Sequence, residues 1–219
     1  WLIRPDVLLQ ERTAGDFEAE LDARMERANT DDARMAALNA FRNRELLRIG
    51  ARDLLELTET FETFQALSLL AETLLQKVYE VAYTRLTARS GVPKKADDTS
   101  AEFAVLGLGK MGGQELNFGS DLDLVFVYSD DGKTDGDSPR GNLQFFIDLA
   151  QQMTAMLEQN TAYGKLYPVD ARLRPEGGSS LLALSYDAYD QYLQGRASTW
   201  ERLALSRAQV VAGDRGFGR

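Results

Sequence analysis

Asp121-Leu122-Asp123 places two carboxylates two positions apart, directly ahead of the apolar run Leu124-Val125-Phe126-Val127-Tyr128. Those β-branched and aromatic residues predict a strand, on which both acids project from one face with Cα atoms roughly 6–7 Å apart. Like charges that close repel unless a cation lies between them. Asp is also a poor strand former, so the pair calls for an explanation. The plain alternative is two solvated acids at the strand's mouth. Asp170, Arg172 and Arg174 alternate in the same manner within Lys165–Arg174, a second expected strand. Laid beside the first, it would bring three carboxylates and two guanidiniums to one sheet face. Three carboxylates suit one or two Mg²⁺ ions, which take oxygen ligands, and two such ions can activate an attacking oxygen and stabilise a leaving one. Arg forks pair with phosphate, or else salt-bridge to carboxylates.

The chemistry available elsewhere is narrow, because the 219 residues include no His and no Cys. Imidazole bases, thiolates, disulfides, Ser-His-Asp triads and nearly every zinc site are excluded together. Carboxylates, hydroxyls, Lys, Arg and backbone dipoles remain, with a hard metal ion such as Mg²⁺ or Mn²⁺. A net charge of −9 argues against broad nucleic-acid binding. No apolar run is long enough to span a bilayer, which predicts no membrane partner and a reducing, cytoplasmic setting. The chain opens on Trp1 rather than Met and stops at Arg219 without a closing signal, so a fragment of a longer protein is expected.

Gly107-Leu108-Gly109-Lys110-Met111-Gly112 fits G-x-G-x-x-G after the apolar run Phe103–Gly107, so a dinucleotide site competes for it. The Rossmann pattern needs a full helix before its second strand. Only Gly113–Ser120 is available, although Asp130 could imitate the terminal acid. A P-loop fails as well, for want of the first Gly and the closing Ser or Thr. Gly112 and Gly113 would admit close backbone approach of a phosphate, with Lys110 as countercharge.

These residues need a scaffold. Ala14–Ala28, Asp32–Leu54 and Thr60–Ser90 carry apolar residues at helical spacing, including Met35, Leu38, Phe41, Leu54, Phe61, Leu67, Leu74, Val78 and Leu86. They predict helices packed on helices. Lys94–Ser100 is polar and unpatterned, the best linker in the chain. Further helices are expected over Leu143–Leu157, Asp187–Leu193 and Thr199–Val211, and a Glu176-Gly177-Gly178 turn after Pro175. Helices followed by a small mixed sheet indicate an α+β fold. The divisions are a helical region at 1–95, a catalytic core at 101–184 and a helical continuation at 185–219.

The stretch from Gly107 to Phe126, with Gly109-Lys110-Met111-Gly112-Gly113, Glu115-Leu116-Asn117-Phe118 and Ser120-Asp121-Leu122-Asp123, resembles the nucleotidyltransferase signature of bacterial glutamine synthetase adenylyltransferases. Val169-Asp170-Ala171-Arg172-Leu173-Arg174-Pro175 resembles that family's second motif. Phe41–Ile49 and Thr199–Asp214 are similar to its flanking stretches, and Met111 stands where the family usually has Leu. The resemblance implies a polymerase-β-like nucleotidyltransferase fold. It also implies Asp121, Asp123 and Asp170 as catalytic metal ligands, and Lys110, Gly112, Gly113, Ser120, Arg172 and Arg174 as nucleotide-binding residues. ATP would be the substrate, glutamine synthetase the partner, and a nitrogen-regulatory signal protein would act through the full-length chain. One half of such enzymes transfers AMP to a tyrosine and the other removes it by phosphorolysis. Thr199–Val211 and the Thr134-Asp135-Gly136 loop look more like the transferring half. A non-catalytic regulatory module is the reading from another class; loss of an acid would favour it, and all three are present.

Overall fold

The computed structural model describes residues 5–175, 177 and 180–217. After a short α1 (Pro5–Leu9), α2 (Ala14–Met25) starts at a reciprocal cap. Thr13 Oγ accepts from the Asp16 amide, and the Asp16 carboxylate accepts from the Thr13 amide. Thr30 caps α3 (Asp31–Leu54) in the simpler way. The 31-residue α4 (Thr60–Ser90) runs until Gly91, whose φ of 80° suits glycine. Most of the expected stripe is buried, but Leu54 and Phe61 stand exposed at the α3–α4 turn.

Arginines on α3 and in the segment before α2 tie the N-terminal helices together. Glu45 is fully buried and pairs with Arg12 at 2.6 Å and Arg48 at 2.7 Å. Glu20 gathers Arg12, Arg24 and Arg44. Burial alone would raise the Glu20 pKa, but hydrogen bonds from Arg24, Arg44 and Arg12 outweigh it and hold the acid below its ordinary range.

Segment 94–100, expected as a linker, is a tight turn fixed to the body. Lys94 belongs to β1 (Pro93–Lys94), which pairs with β4 (Lys133–Thr134), and Lys95 salt-bridges Glu102 at 2.8 Å. The core is continuous across it: Phe17, Phe41, Leu74 and Val78 share one buried cluster with Phe103, Val105, Phe126 and Phe146.

The sheet is small and mixed. β2 (Phe103–Gly107) lies antiparallel to β3 (Leu122–Tyr128), with Phe103 opposite Tyr128 and Gly107 opposite Leu124. The free edge of β3 takes two short parallel strands, β5 (Val169–Asp170) at its start and β6 (Ala183–Ser185) at its end. Residues Leu122, Leu124, Phe126 and Tyr128 face the core beneath α4 and α6 (Asn142–Glu158). Val125 and Val127 face the other way, under α7 (Tyr186–Gly195) and Leu205 of α8 (Thr199–Leu205).

Two expected elements are corrected. The helix over Thr199–Val211 ends at Leu205, and Gln209–Gly213 forms β7, antiparallel to β2. The β-branched Val210-Val211 pair completes the open edge of β2, and Gly213 there adopts φ 86° with Phe103 O 2.2 Å from where a Cβ would sit. The continuation after 185 is therefore helical only in part. The strand over Lys165–Arg174 shrinks to Val169–Asp170, because the Arg172 amide turns back onto the Asp170 carboxylate at 2.8 Å. Glu176 and Gly178 of the expected turn lie outside the described residues.

Two measurements test these contacts. Glu20→Gln is expected to lower the melting temperature at pH 7 and to have a progressively smaller effect as pH falls below 4.5. A depressed carboxylate pKa contributes stability above its ordinary value of 4.5 and loses it as pH falls through the folded value. Gly112→Ala should destabilise by about 1–3 kcal/mol, since its Cβ would lie 2.0 Å from Arg207 O. Gly195→Ala, in open space near the end of α7, should be neutral or stabilising by up to about 1 kcal/mol in urea melts.

Candidate active site

β2 feeds directly into a single turn of helix, α5 (Gly109–Gly112). The Leu108 amide at its head donates to Asp123 O at 2.9 Å, so the turn is fastened to the acidic strand beside it. Gly109 sits at φ 53°, and a Cβ there would lie 2.5 Å from Asp123 Oδ2. Only glycine lets the backbone take that left-handed bend with a carboxylate against it. Gly109 thus makes room for the acid. Sequence reasoning passed over it, although its signal was available in the G-x-G that follows a strand.

Gly112 and Gly113 meet the chain itself. Besides Arg207 O, a Cβ on Gly112 would lie 2.5 Å from Gly107 O. A Cβ on Gly113 would lie 3.4 Å from both Arg207 Nη1 and the Glu115 carboxylate. Arg207 donates to Glu115 at 2.9 Å, clasping the loop from the segment between α8 and β7. Ser120 spends its hydroxyl on the turn before β3, accepting from the Asn117 amide at 3.1 Å, with Gly119 at φ 74°. The same loop is anchored to α4 where the Leu116 amide donates to Ser68 Oγ at 3.2 Å.

Asp121 is exposed just ahead of β3, while Asp123 is half-buried on the strand itself, facing away from the main core. Asp170 is the direct cross-strand partner of Asp123 in the parallel β3–β5 pair. Burial raises the Asp123 pKa most, and the charges of Asp121 and Asp170 raise it further. Lys110, exposed on α5, and Arg172 pull it back. Asp123 therefore carries the influence of both other acids.

Asp170 behaves in the opposite sense. Hydrogen bonding from the Arg172 side chain holds its pKa below the ordinary range. Arg172 Nε lies 3.0 Å from both carboxylate oxygens, and Nη2 lies 2.5 Å from Oδ2. More weakly than Arg172, Arg174 acts on Asp170 by its charge. Its guanidinium donates to Ala171 O and to Ser180 O, the latter at 3.2 and 3.3 Å, and so braces the following loop. The expected alternation of Asp170, Arg172 and Arg174 fails beyond Asp170, because the strand ends there.

The donor set suits a hard divalent cation: oxygen ligands only, on adjacent strands, with repulsion at Asp123 that Lys110 and Arg172 offset only in part. Among the described residues, no three acidic groups converge closely enough to hold an ion as they stand. Both oxygens of Asp170 are turned onto Arg172.

The family model described as glutamate-ammonia ligase adenylyltransferase matches residues 2–219. The chain belongs to that family. It is 40% identical to the bifunctional glutamine synthetase adenylyltransferase/adenylyl-removing enzyme of Thioalkalivibrio sulfidiphilus over 218 residues, covering 100% of this chain and 22% of that protein. The Pseudomonas putida enzyme of the same name is 40% identical over 94% of the chain and 22% of its own length. That of Shewanella frigidimarina is 38% identical over 97% and 23%. The chain thus spans roughly a fifth to a quarter of these relatives. They are enzymes named for two opposed activities on glutamine synthetase. This member of the glutamate-ammonia ligase adenylyltransferase family has no described helix long and apolar enough to cross a membrane.

The repulsion at Asp123 has a measurable consequence without metal. Asp123→Asn removes one charge from a half-buried acidic group at nearly constant shape. The variant is expected to melt about 2–4 °C higher in EDTA, the shift for roughly 1 kcal/mol in a chain of this size. A lower melting temperature would show that the carboxylate is structurally required.

Proposed function

We propose that this chain is one nucleotidyltransferase domain of polymerase-β-like fold, moving AMP from ATP to a tyrosine of glutamine synthetase in the cytoplasm. The reading is supported by the cross-strand pairing of Asp123 with Asp170, with Asp121 just ahead of the same strand, within a chain of this family. Asp121 and Asp123 would hold Mg²⁺ or Mn²⁺, with Asp170 as the third ligand. Bound there, the ion would supply Lewis-acid stabilisation of charge on the reacting phosphate.

The chain's own groups then have separable tasks. The tyrosine, as phenolate with its proton given up to solvent, forms a bond to the α-phosphorus as the bond to the β-phosphate oxygen breaks, in line, releasing pyrophosphate. Lys110 and Arg172 would balance phosphate charge during that transfer. Asp123, held by the β2–β3 register and by Gly109, fixes where the phosphate must sit. A small preorganised site of this kind acts mainly by positioning and electrostatics. In the full-length protein, a nitrogen-regulatory signal protein would set the level of activity from outside this domain.

Phosphorolytic removal of AMP is the second reading, since the relatives carry both activities in their names. The three acids do not decide between them, because both directions pass through similar phosphorus transition states. Transfer is preferred on the resemblance of Thr199–Asp214 and of the Thr134 loop. The deciding assay offers unmodified glutamine synthetase with labelled ATP and Mg²⁺, and separately adenylylated enzyme with inorganic phosphate. Label transfer in the first reaction is expected, and its loss by at least about 10²-fold in Asp123→Asn. ADP release in the second reaction alone would reverse the direction.

A further inference from the structure

We propose that Arg172 is a transferable guanidinium, parked on Asp170 while no cation is bound and passed to the nucleotide's phosphates when a divalent cation takes Asp170. The inference rests on the reading of Asp170 as a metal ligand and deepens it into a coupling between metal and nucleotide.

Three features of the pair support it. The contact is complete: the Arg172 amide, Nε and Nη2 all donate to the one carboxylate, at 2.8, 3.0 and 2.5 Å, leaving neither oxygen turned to a cation. It is also lopsided, because the Arg172 side chain is 80% exposed and that of Asp170 only 16%. The carboxylate is fixed by β5, whereas the fork lies at the surface and can swing away. The fork is largely in solvent, where screening weakens even a bidentate pair, so a doubly charged ion at Asp121 and Asp123 would win Asp170 from it. Finally, Arg172 is within electrostatic range of Asp121 and Asp123 as well, so a released fork remains over the same site. Arg174 acts on Asp170 by charge, while Ala171 O and Ser180 O engage its guanidinium.

The consequence is thermodynamic coupling. A cation that displaces Arg172 supplies the nucleotide with a phosphate fork, and a nucleotide that captures Arg172 supplies the cation with a third ligand. Each must then strengthen the other's binding. The parked state also keeps the acidic site partly neutralised when it is empty.

Calorimetry with ATP in EDTA and with Mg²⁺-ATP, and Mn²⁺ titration without nucleotide followed by electron spin resonance, test this on the whole chain. Arg172→Gln should change metal-free ATP affinity by no more than about twofold, yet weaken Mg²⁺-ATP about tenfold or more. The same variant should bind Mn²⁺ alone several-fold tighter than the parent. Asp170→Asn should tighten metal-free ATP by freeing the fork, and the double variant Asp170→Asn/Arg172→Gln should lose that gain. Equal weakening of metal-free and Mg²⁺-ATP by Arg172→Gln would overturn the proposal, as would unchanged Mn²⁺ affinity. Asp123→Asn separates the two levels. If Mn²⁺ binds it as it binds the parent, the metal site itself is misassigned and the transfer falls with it. If Mn²⁺ binding is lost there while Arg172→Gln matches the parent, only the transfer is wrong.

Discussion

The placement of Asp123 against Gly109 is the constraint from which the rest of the site follows. It depends on the antiparallel register that sets Gly107 opposite Leu124 and lets the Leu108 amide reach Asp123 O. A one-residue slip would turn every side chain of β3 to the other face, sending Asp123 into the core and Leu124 toward the site. The register is protected by what β3 buries. Phe103 stacks near Phe126 and Phe146 at centroid distances of 6.1 and 5.4 Å, and Tyr128 stacks on Phe146 at 4.9 Å. Aromatic packing on one face therefore fixes acid placement on the other.

Much of this was legible because it is local. Alternation across Asp121–Tyr128 gave the strand, its two faces and the side on which the acids lie. Helical spacing gave α3 and α4 nearly to their ends. The parts that escaped are those decided at a distance. Nothing within Gln209–Gly213 announces that β2 has an open edge, so Val210-Val211 read as the tail of a helix. Arg172 folding back on Asp170 is a side-chain event that ends a strand whose residue pattern continues to Arg174. The glycines divide on the same line. Gly109 follows from the carboxylate beside it on the next strand, whereas Gly112 is explained by Arg207 O, ninety-five positions along the chain.

The linker expected at 94–100 misled for a related reason. Its polar composition is that of an exposed turn, and a turn between packed elements looks the same in sequence as a tether between independent ones. What distinguishes them is whether the flanking apolar surfaces meet. Here α4 presents Leu74 and Val78 to the same buried cluster that receives Phe103 and Phe126. The Ser68 hydroxyl on that helix reaches the loop ahead of the acidic strand. The N-terminal helices are thereby part of the site's support, and a disturbance at the Glu45–Arg48 pair has a packed route to it.

The charges on the two sides of the molecule make the division of labour plain. Glu20 and Glu45 are surrounded by arginines, and the Glu20 pKa is held down accordingly. Burial raises the Asp123 pKa most, the charges of Asp121 and Asp170 add to it, and Lys110 and Arg172 offset it only in part. A fold that satisfies its buried acids so thoroughly at one end has the means to do so at the other. An acid with its pKa raised in this way, set within an otherwise consistent structure, is where a binding role is to be sought. Under the proposed reading, the group that would answer this charge is a small oxygen-seeking cation, beside the position Arg172 takes on Asp170. Pairing within the protein holds the Asp170 pKa down, whereas Lys110 and Arg172 offset only part of what raises Asp123.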